Sequence, residues 1–449
     1  MEPTTLPAKP SALAPLLRPL QAFLAAESAG GIVLIVAAVA ALAWANSPWA
    51  HGYHDLWHTK LSVGYGGRGF AMSLEHWVND GLMVVFFLLV GLEIKRELLL
   101  GELASPRRAA LPIAAAVGGM VVPAAVFAAF NAGGPGAHGW GIPMATDIAF
   151  AVGVLALVGR SVPTSVKVFL LAVAIVDDLG AVLVIALFYT ASIDPTALAV
   201  AGGFLAALVL LNVLRVHRPL PYLLLGVGLW AATLASGVHA TIAGVLLAFT
   251  IPATRRVEEA AYVEYVRARL DEFERDVTAV PDRITEGQHH ALHEMEEASE
   301  AVQTPLARVE HALLRPVAFG IVPLFALANA GVSFAGGDGN GASPLSSPVA
   351  WGVLLGLLVG KPVGVLLASW VVVKTGVASL PSGATVRQLV GVAVLCGIGF
   401  TMSLFVGNLA FPGEASLLAA TKVGILAASL LAGVAGGAIL WSGRRAATH

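Results

Sequence analysis

Ala172-Val173-Ala174-Ile175-Val176-Asp177-Asp178-Leu179-Gly180-Ala181-Val182 places two adjacent carboxyls in the middle of the apolar run 166–189. Each end of that run lies about 12 residues away, or roughly 18 Å of helix. If the run crosses a bilayer, both carboxyls sit near its midplane. Each then costs on the order of 2.5–3.5 kcal/mol to insert, and such residues face a cavity or a partner. A buried pair that only locks two helices together is the plain alternative, but one carboxyl would serve for that.

The rest of the chain makes the bilayer reading firm. Of 449 residues 57% are apolar and only 12% charged, with a mean hydropathy of +0.82. Soluble domains carry about twice that share of charge, so this is an integral membrane protein. A net charge of −2 argues against a nucleic-acid partner. The single cysteine, Cys396, excludes an internal disulfide framework. Apolar runs recur near 29–46, 76–98, 109–130, 141–159, 166–189, 196–214, 219–235, 237–252, 313–334, 349–374, 388–411 and 417–441. Twelve spans of mostly helical chain are expected, with both termini on one side. Segment 1–28 lacks the pattern of a cleavable signal peptide.

Charge placement orients the spans. Of the 26 Lys and Arg residues, Lys60 and Arg68 fall on the side of 47–75, and Lys361 and Lys422 fall inside apolar runs. The other 22 lie at the ends shared with the termini, which marks that side as cytoplasmic. The expected organisation is an N-terminal cytoplasmic segment 1–28, helices 1–8 within 29–254, a charged cytoplasmic loop 255–310, helices 9–12 within 311–441, and a cytoplasmic tail 442–449. The loop holds 14 of the 28 acids and seven arginines, and reads as a charged helix around Val257–Val277. It is either a solvated segment or a regulatory arm. In 47–75, Lys60–Val63 and Phe70–Leu74 flank Gly64-Tyr65-Gly66-Gly67-Arg68-Gly69, which suggests an external β-hairpin with six turn residues.

Lys361, thirteenth in its run, is the natural counter-charge to one of the aspartates. Neighbours on a helix point about 100° apart, so one carboxyl can pair with lysine while the other faces a path. Lys422, near the end of its run, can snorkel outward. Pro143, Thr146 and Asp147 in Gly141–Phe150 suggest an interrupted helix, and so do Gly397, Gly399, Thr401 and Ser403 in 388–411. Broken helices at membrane depth are tolerated where they line a cavity. Asp147 can offset the positive half-helix ends there and Lys361 the negative ones. Runs 109–130, 141–159 and 166–189 form one triplet and 349–374, 388–411 and 417–441 another, each with a broken middle helix. An odd number of spans per copy makes the repeat inverted, which points to a secondary transporter.

The strings Phe86–Leu98, Ala145–Phe150, Val176–Gly180, Gly237–Thr241, Pro323–Gly331, Gly360–Pro362 and Cys396–Met402 resemble the NhaA family of sodium–proton antiporters over nearly all of 20–441. That family is itself a type case of inverted repeats with broken helices, so the repeat adds no separate support. The resemblance implies that Asp178 and Asp177 bind the ion and the proton, with Lys361 paired to Asp177. It implies that Asp147 and Thr146, in the extended chain that Ala145 begins in one broken helix, belong with Lys361 to the ion- and proton-binding group. Gly397, Gly399, Phe400 and Thr401 form the crossing partner of that helix. It assigns Glu93, Lys95, Arg96, Glu97, His239, Glu310 and His311 to a cytoplasmic-side group that responds to pH. It makes residues 60–74 a dimerisation hairpin, places the protein among lipids in the bacterial inner membrane, and makes exchange of Na+, and of Li+, for H+ electrogenic and pH-regulated. No cofactor is implied. The chain departs from the family pattern in its long 255–310 loop and in Leu314 and Arg315, where a histidine is often found.

The chemistry agrees. Sodium is a hard cation that takes oxygen ligands, which Asp177, Asp178, backbone carbonyls and water can supply. A carboxyl that holds either a proton or sodium makes the two ions competitors, which is all that antiport requires. Three rivals stand against it; the first, a pure channel, would need no competition between proton and sodium. A sodium-coupled transporter of an organic anion shares the broken helices but would want more than one central cation. An intramembrane protease needs its two aspartates on different helices. Zinc at His51, His54 and His58, or at His289, His290 and His293, lacks a well-placed fourth ligand.

Overall fold

A computed structural model describes residues 29–65, 68–158, 162–190, 193–276, 284–333 and 343–442. The segment 1–28, expected to be cytoplasmic, almost all of the tail 442–449, and Gly66-Gly67 of the expected turn lie outside the described residues. Within them the chain is mostly helical. Seven helices are long and apolar enough to cross a membrane, and up to ten spans result if each of three bent helix pairs counts as one. Helices α1 (Ala29–Ala45) and α2 (Ala50–His58) form the first bent pair. Strands β1 (Lys60–Tyr65) and β2 (Arg68–Ser73) follow, then α3 (Leu74–Leu100) and α4 (Pro106–Asn131). A 3-10 helix, Pro135–Met144, leads into α5 (Ile148–Val158). Next come α6 (Thr164–Phe188), α7 (Pro195–Val213), α8 (Pro219–Ala235) and α9 (Thr241–Thr250). The charged segment forms α10 (Glu259–Arg275) and α11 (Glu286–Val302). The chain ends with α12 (Pro305–Asn329), α13 (Pro348–Lys374), α14 (Val386–Leu395), α15 (Phe400–Ala410) and α16 (Ala415–Ser442).

These elements fall into two compact units. The first takes residues up to 56, 110–177 and from 322 onward. In it α4 and α13 meet at Gly118 and Gly364, where a Cβ on Gly364 would stand 2.0 Å from the Gly118 carbonyl oxygen. Small residues let two backbones approach this closely, the usual device for packing helices in lipid. Tyr53 of α2 donates to the carbonyls of Leu327 (2.8 Å) and Ala328 at the end of α12.

The second unit takes residues 57–109 and 178–321. Its apolar core gathers Leu88, Leu92, Leu208, Tyr222, Leu229 and Leu247. Gly244 of α9 lies against α3, where a Cβ would stand 2.3 Å from the Val84 carbonyl oxygen. The hairpin is antiparallel, and its pairing runs from Lys60↔Ser73 to Tyr65↔Arg68. Gly64, Tyr65, Arg68 and Gly69, expected in the turn, therefore belong to the strands.

The charged loop also differs from expectation, because it holds two helices rather than one. Helix α11 starts with a capping box, Thr285 with Gln288. It pairs antiparallel with α10: Tyr262 meets Ser299 at 3.0 Å, Gln288 donates to the Phe273 carbonyl, and Arg269 bridges to Glu294 at 3.0 Å. Arg256 and Val257 donate to the Ala301 carbonyl and close the base.

Candidate functional site

In the first unit the 3-10 helix stops at Met144, Ala145–Asp147 runs extended, and α5 restarts at a 45° bend. Helices α14 and α15 are likewise bent by 40° around Cys396–Gly399. The two interruptions are bonded to each other. Asp147 N–H donates to the Ile398 carbonyl at 2.7 Å, and Thr146 Oγ1 lies 3.0 Å from the Cys396 carbonyl. Glycine is required where the second break packs against α13. A Cβ on Gly397 would stand 2.5 Å from the Leu357 carbonyl oxygen, and one on Gly399 2.2 Å from Ser403 Oγ.

Broken helices expose N–H and C=O groups that must find partners where water is scarce. Asp147, 1% exposed, caps two helices at once. Its Oδ1 accepts from Phe150 N–H (2.9 Å) in the first turn of α5. Its Oδ2 accepts from Thr401 N–H (2.9 Å) and Thr401 Oγ1 (2.5 Å) in the first turn of α15. Ser429 Oγ accepts from Phe400 N–H (3.2 Å), and Ser403 Oγ donates to the Ile142 carbonyl (2.8 Å). Lys361 serves the negative end, donating from Nζ to the Met144 carbonyl.

Lys361 also pairs with Asp177: Nζ lies 2.8 Å from Oδ2, and neither side chain is exposed. Thr146 Oγ1 donates to the same oxygen at 2.8 Å. Asp177 Oδ1 is buried and accepts no hydrogen bond from any described residue. Asp178, next on α6, is buried as well. A π-helical turn, Gly356–Gly360, ends immediately before Lys361, and such turns are frequent at functional sites. A carboxylate paired on one oxygen and open on the other, at the crossing of two broken helices, can hold a small cation or a proton.

The comparisons with known proteins bear on this arrangement. The family model described as Na+/H+ antiporter 1 matches residues 21–440. The chain belongs to the NhaA family of Na+/H+ antiporters. It is 51% identical to the Na(+)/H(+) antiporter NhaA of Oleidesulfovibrio alaskensis, over 96% of this chain and 95% of the relative. It is 50% identical to the NhaA of Koribacter versatilis over 95% and 92%, and 46% identical to that of Sulfurimonas denitrificans over 93% and 94%. NhaA antiporters are transporters rather than enzymes, which removes the protease rival.

The residues expected to respond to pH fall in the second unit, and the structure brings only some of them together. Arg96 pairs with the buried Glu310 and lies 3.6 Å from Glu97. Lys95 Nζ donates to the Phe249 (2.8 Å) and Ile251 carbonyls, a cation at the C-terminal end of α9. Glu93 is half-buried on α3, and His311 is exposed beside Glu310. His239 does not join them. It precedes α9, bonds the Tyr189 carbonyl at 2.7 Å, and lies a ten-residue helix away from the carbonyls that Lys95 holds. Among the described residues no three His, Cys, Asp or Glu side chains are gathered to hold a metal.

Sequence reasoning missed Ser429, the bond from Ser403 to the Ile142 carbonyl and the double role of Thr146. Hydroxyls are common in apolar helices, and only the crossing geometry distinguishes these from self-capped ones.

Proposed function

We propose that the protein exchanges Na+ for H+ across the bacterial inner membrane, with Asp177 and Asp178 holding either ion in turn. The observation that carries this is the Asp177 carboxyl, tied through Oδ2 to Lys361 and Thr146 with Oδ1 left open. Sodium takes oxygen donors, and a cation on Oδ1 would compete with a proton for the same carboxyl. Lys361 balances Asp177 and the Met144 carbonyl, which argues against an organic anion as cargo. Asp147 and Thr401 hold the crossing rather than the ion.

Alternating access follows from movement of the broken helices around this site, and electrogenic exchange that also accepts Li+ is the family's expected behaviour. The twelve-span topology with inverted repeats and both termini cytoplasmic is part of the same reading. Its support is the break in the middle run of each triplet, by 45° and 40°, and the distribution of Lys and Arg. The Arg96–Glu310 pair beside exposed His311 supports a pH-responsive group. Strand β1 exposes Leu61 and Val63, and an unpaired strand edge with apolar side chains suits a homodimer through 60–74. Protein reconstituted in liposomes should move protons against an imposed Na+ gradient; flux of Na+ without proton movement would defeat the assignment.

A further inference from the structure

A groove of about 400 Å³ opens in the first unit, away from the carboxyl site. Leu111 of α4, Phe169 of α6, Val365 and Leu366 of α13, and Leu389 and Val390 of α14 line it. Its volume is that of a site for a small ligand. Two features separate it from an ordinary lipid-facing surface. The first is a buried polar atom: Ser369 Oγ lines the groove and has no hydrogen-bond partner among the described residues. The second is the charge at its mouth. Lys374 lines the rim with Nζ 4.5 Å over the exposed Trp370 ring. Lys374 has no carboxylate partner among the described residues. The segments 162–170 and 370–390 contain no acid at all. A tryptophan with a lysine over its ring marks the membrane–water interface, so the groove descends from the headgroup level into the bilayer.

The order of groups along α13 identifies the occupant. Lys374 is outermost, Ser369 follows about 7.5 Å deeper, and Leu366 and Val365 come next. Charge, then neutral hydrogen-bond donor, then hydrocarbon is the order of phosphate, ester and acyl chain in a phospholipid. We propose that this groove holds one acyl chain of an anionic phospholipid, with the phosphate at Lys374 on the rim and Ser369 donating to the ester carbonyl. The rim is held in place from α6, where Ser165 donates to the Ser382 carbonyl at 2.7 Å. Val365 is one helical turn from Lys361, so the lipid bears on the helix that carries the site lysine.

The test uses the full chain, delipidated in detergent and offered phosphatidylglycerol or phosphatidylethanolamine with the same chains. Native mass spectrometry counts the retained lipids. One phosphatidylglycerol should survive washing with a preference of about fivefold over phosphatidylethanolamine. Lys374→Gln, at an exposed position, should reduce that preference towards equality. Val390→Trp should fill the groove and abolish retention of both lipids. Equal retention of the two lipids by the native protein would overturn the proposal. So would an undiminished preference in Lys374→Gln, or native retention in a normally melting Val390→Trp protein. Each reading is independent of ion exchange.

Discussion

Replacing Asp147 with alanine should damage the broken-helix crossing more than any single hydroxyl deletion there. The carboxyl accepts three hydrogen bonds and caps two helices, through Phe150 N–H on Oδ1 and Thr401 N–H and Oγ1 on Oδ2. A lost cap costs about 1 kcal/mol, so two cost about 2 kcal/mol. The Thr401 hydroxyl, 3% exposed as a residue, is left without its acceptor at about 1–3 kcal/mol more. The total is about 3–5 kcal/mol. Asp147→Asn keeps one acceptor oxygen and should fall between alanine and the native protein. Adding Thr401→Val to Asp147→Ala removes the stranded hydroxyl and should recover part of the loss. Thermal melting of the purified protein in one detergent ranks the four. Equal melting of the alanine, asparagine and native proteins would refute the idea that this carboxyl holds the crossing together.

Lys361→Ala strands a fully buried Asp177 and should cost about 3–5 kcal/mol; Asp177→Asn alongside it should restore part of the melting temperature, and additive losses would show the two uncoupled. Gly364→Val drives a side chain into the Gly118 carbonyl and should lower stability by about 1–3 kcal/mol while slowing exchange, because Lys361 is one turn away. A melt and flux unchanged by that substitution would show that the α4–α13 approach is not tight. His311→Ala, next to the Arg96–Glu310 pair, should move the pH midpoint of exchange and leave sodium affinity at saturating alkaline pH unchanged. An unmoved midpoint would place the pH response at the carboxyl site itself.

Much of the site was legible in the sequence because charge in an apolar run has few explanations. Asp177, Asp178 and Lys361 could be singled out by cost alone, and Pro143, Gly397 and Gly399 by their effect on helices. What those groups bond to was not legible. That Thr146 and Lys361 share one Asp177 oxygen, and that Asp147 caps two helices, depends on segments from 31 to 254 residues apart in sequence coming together. His239 was misplaced because a resemblance transfers a residue without its position in space, and the ten-residue α9 then separates it from Lys95. Helix α11 was missed although Thr285 and Gln288 carry a capping box, because a dense run of acids reads as solvated chain. The hairpin turn was read too wide because glycines pair in strands as well as they turn.

The central claim is that one buried carboxyl pair alternates between sodium and protons. Asp178→Asn removes the titrating group and keeps the side chain's size, so the protein should still fold. Reconstituted in liposomes under an imposed Na+ gradient, native protein should drive proton movement and the Asp178→Asn protein should drive none. Sodium-driven proton flux near the native rate in that variant would contradict the account.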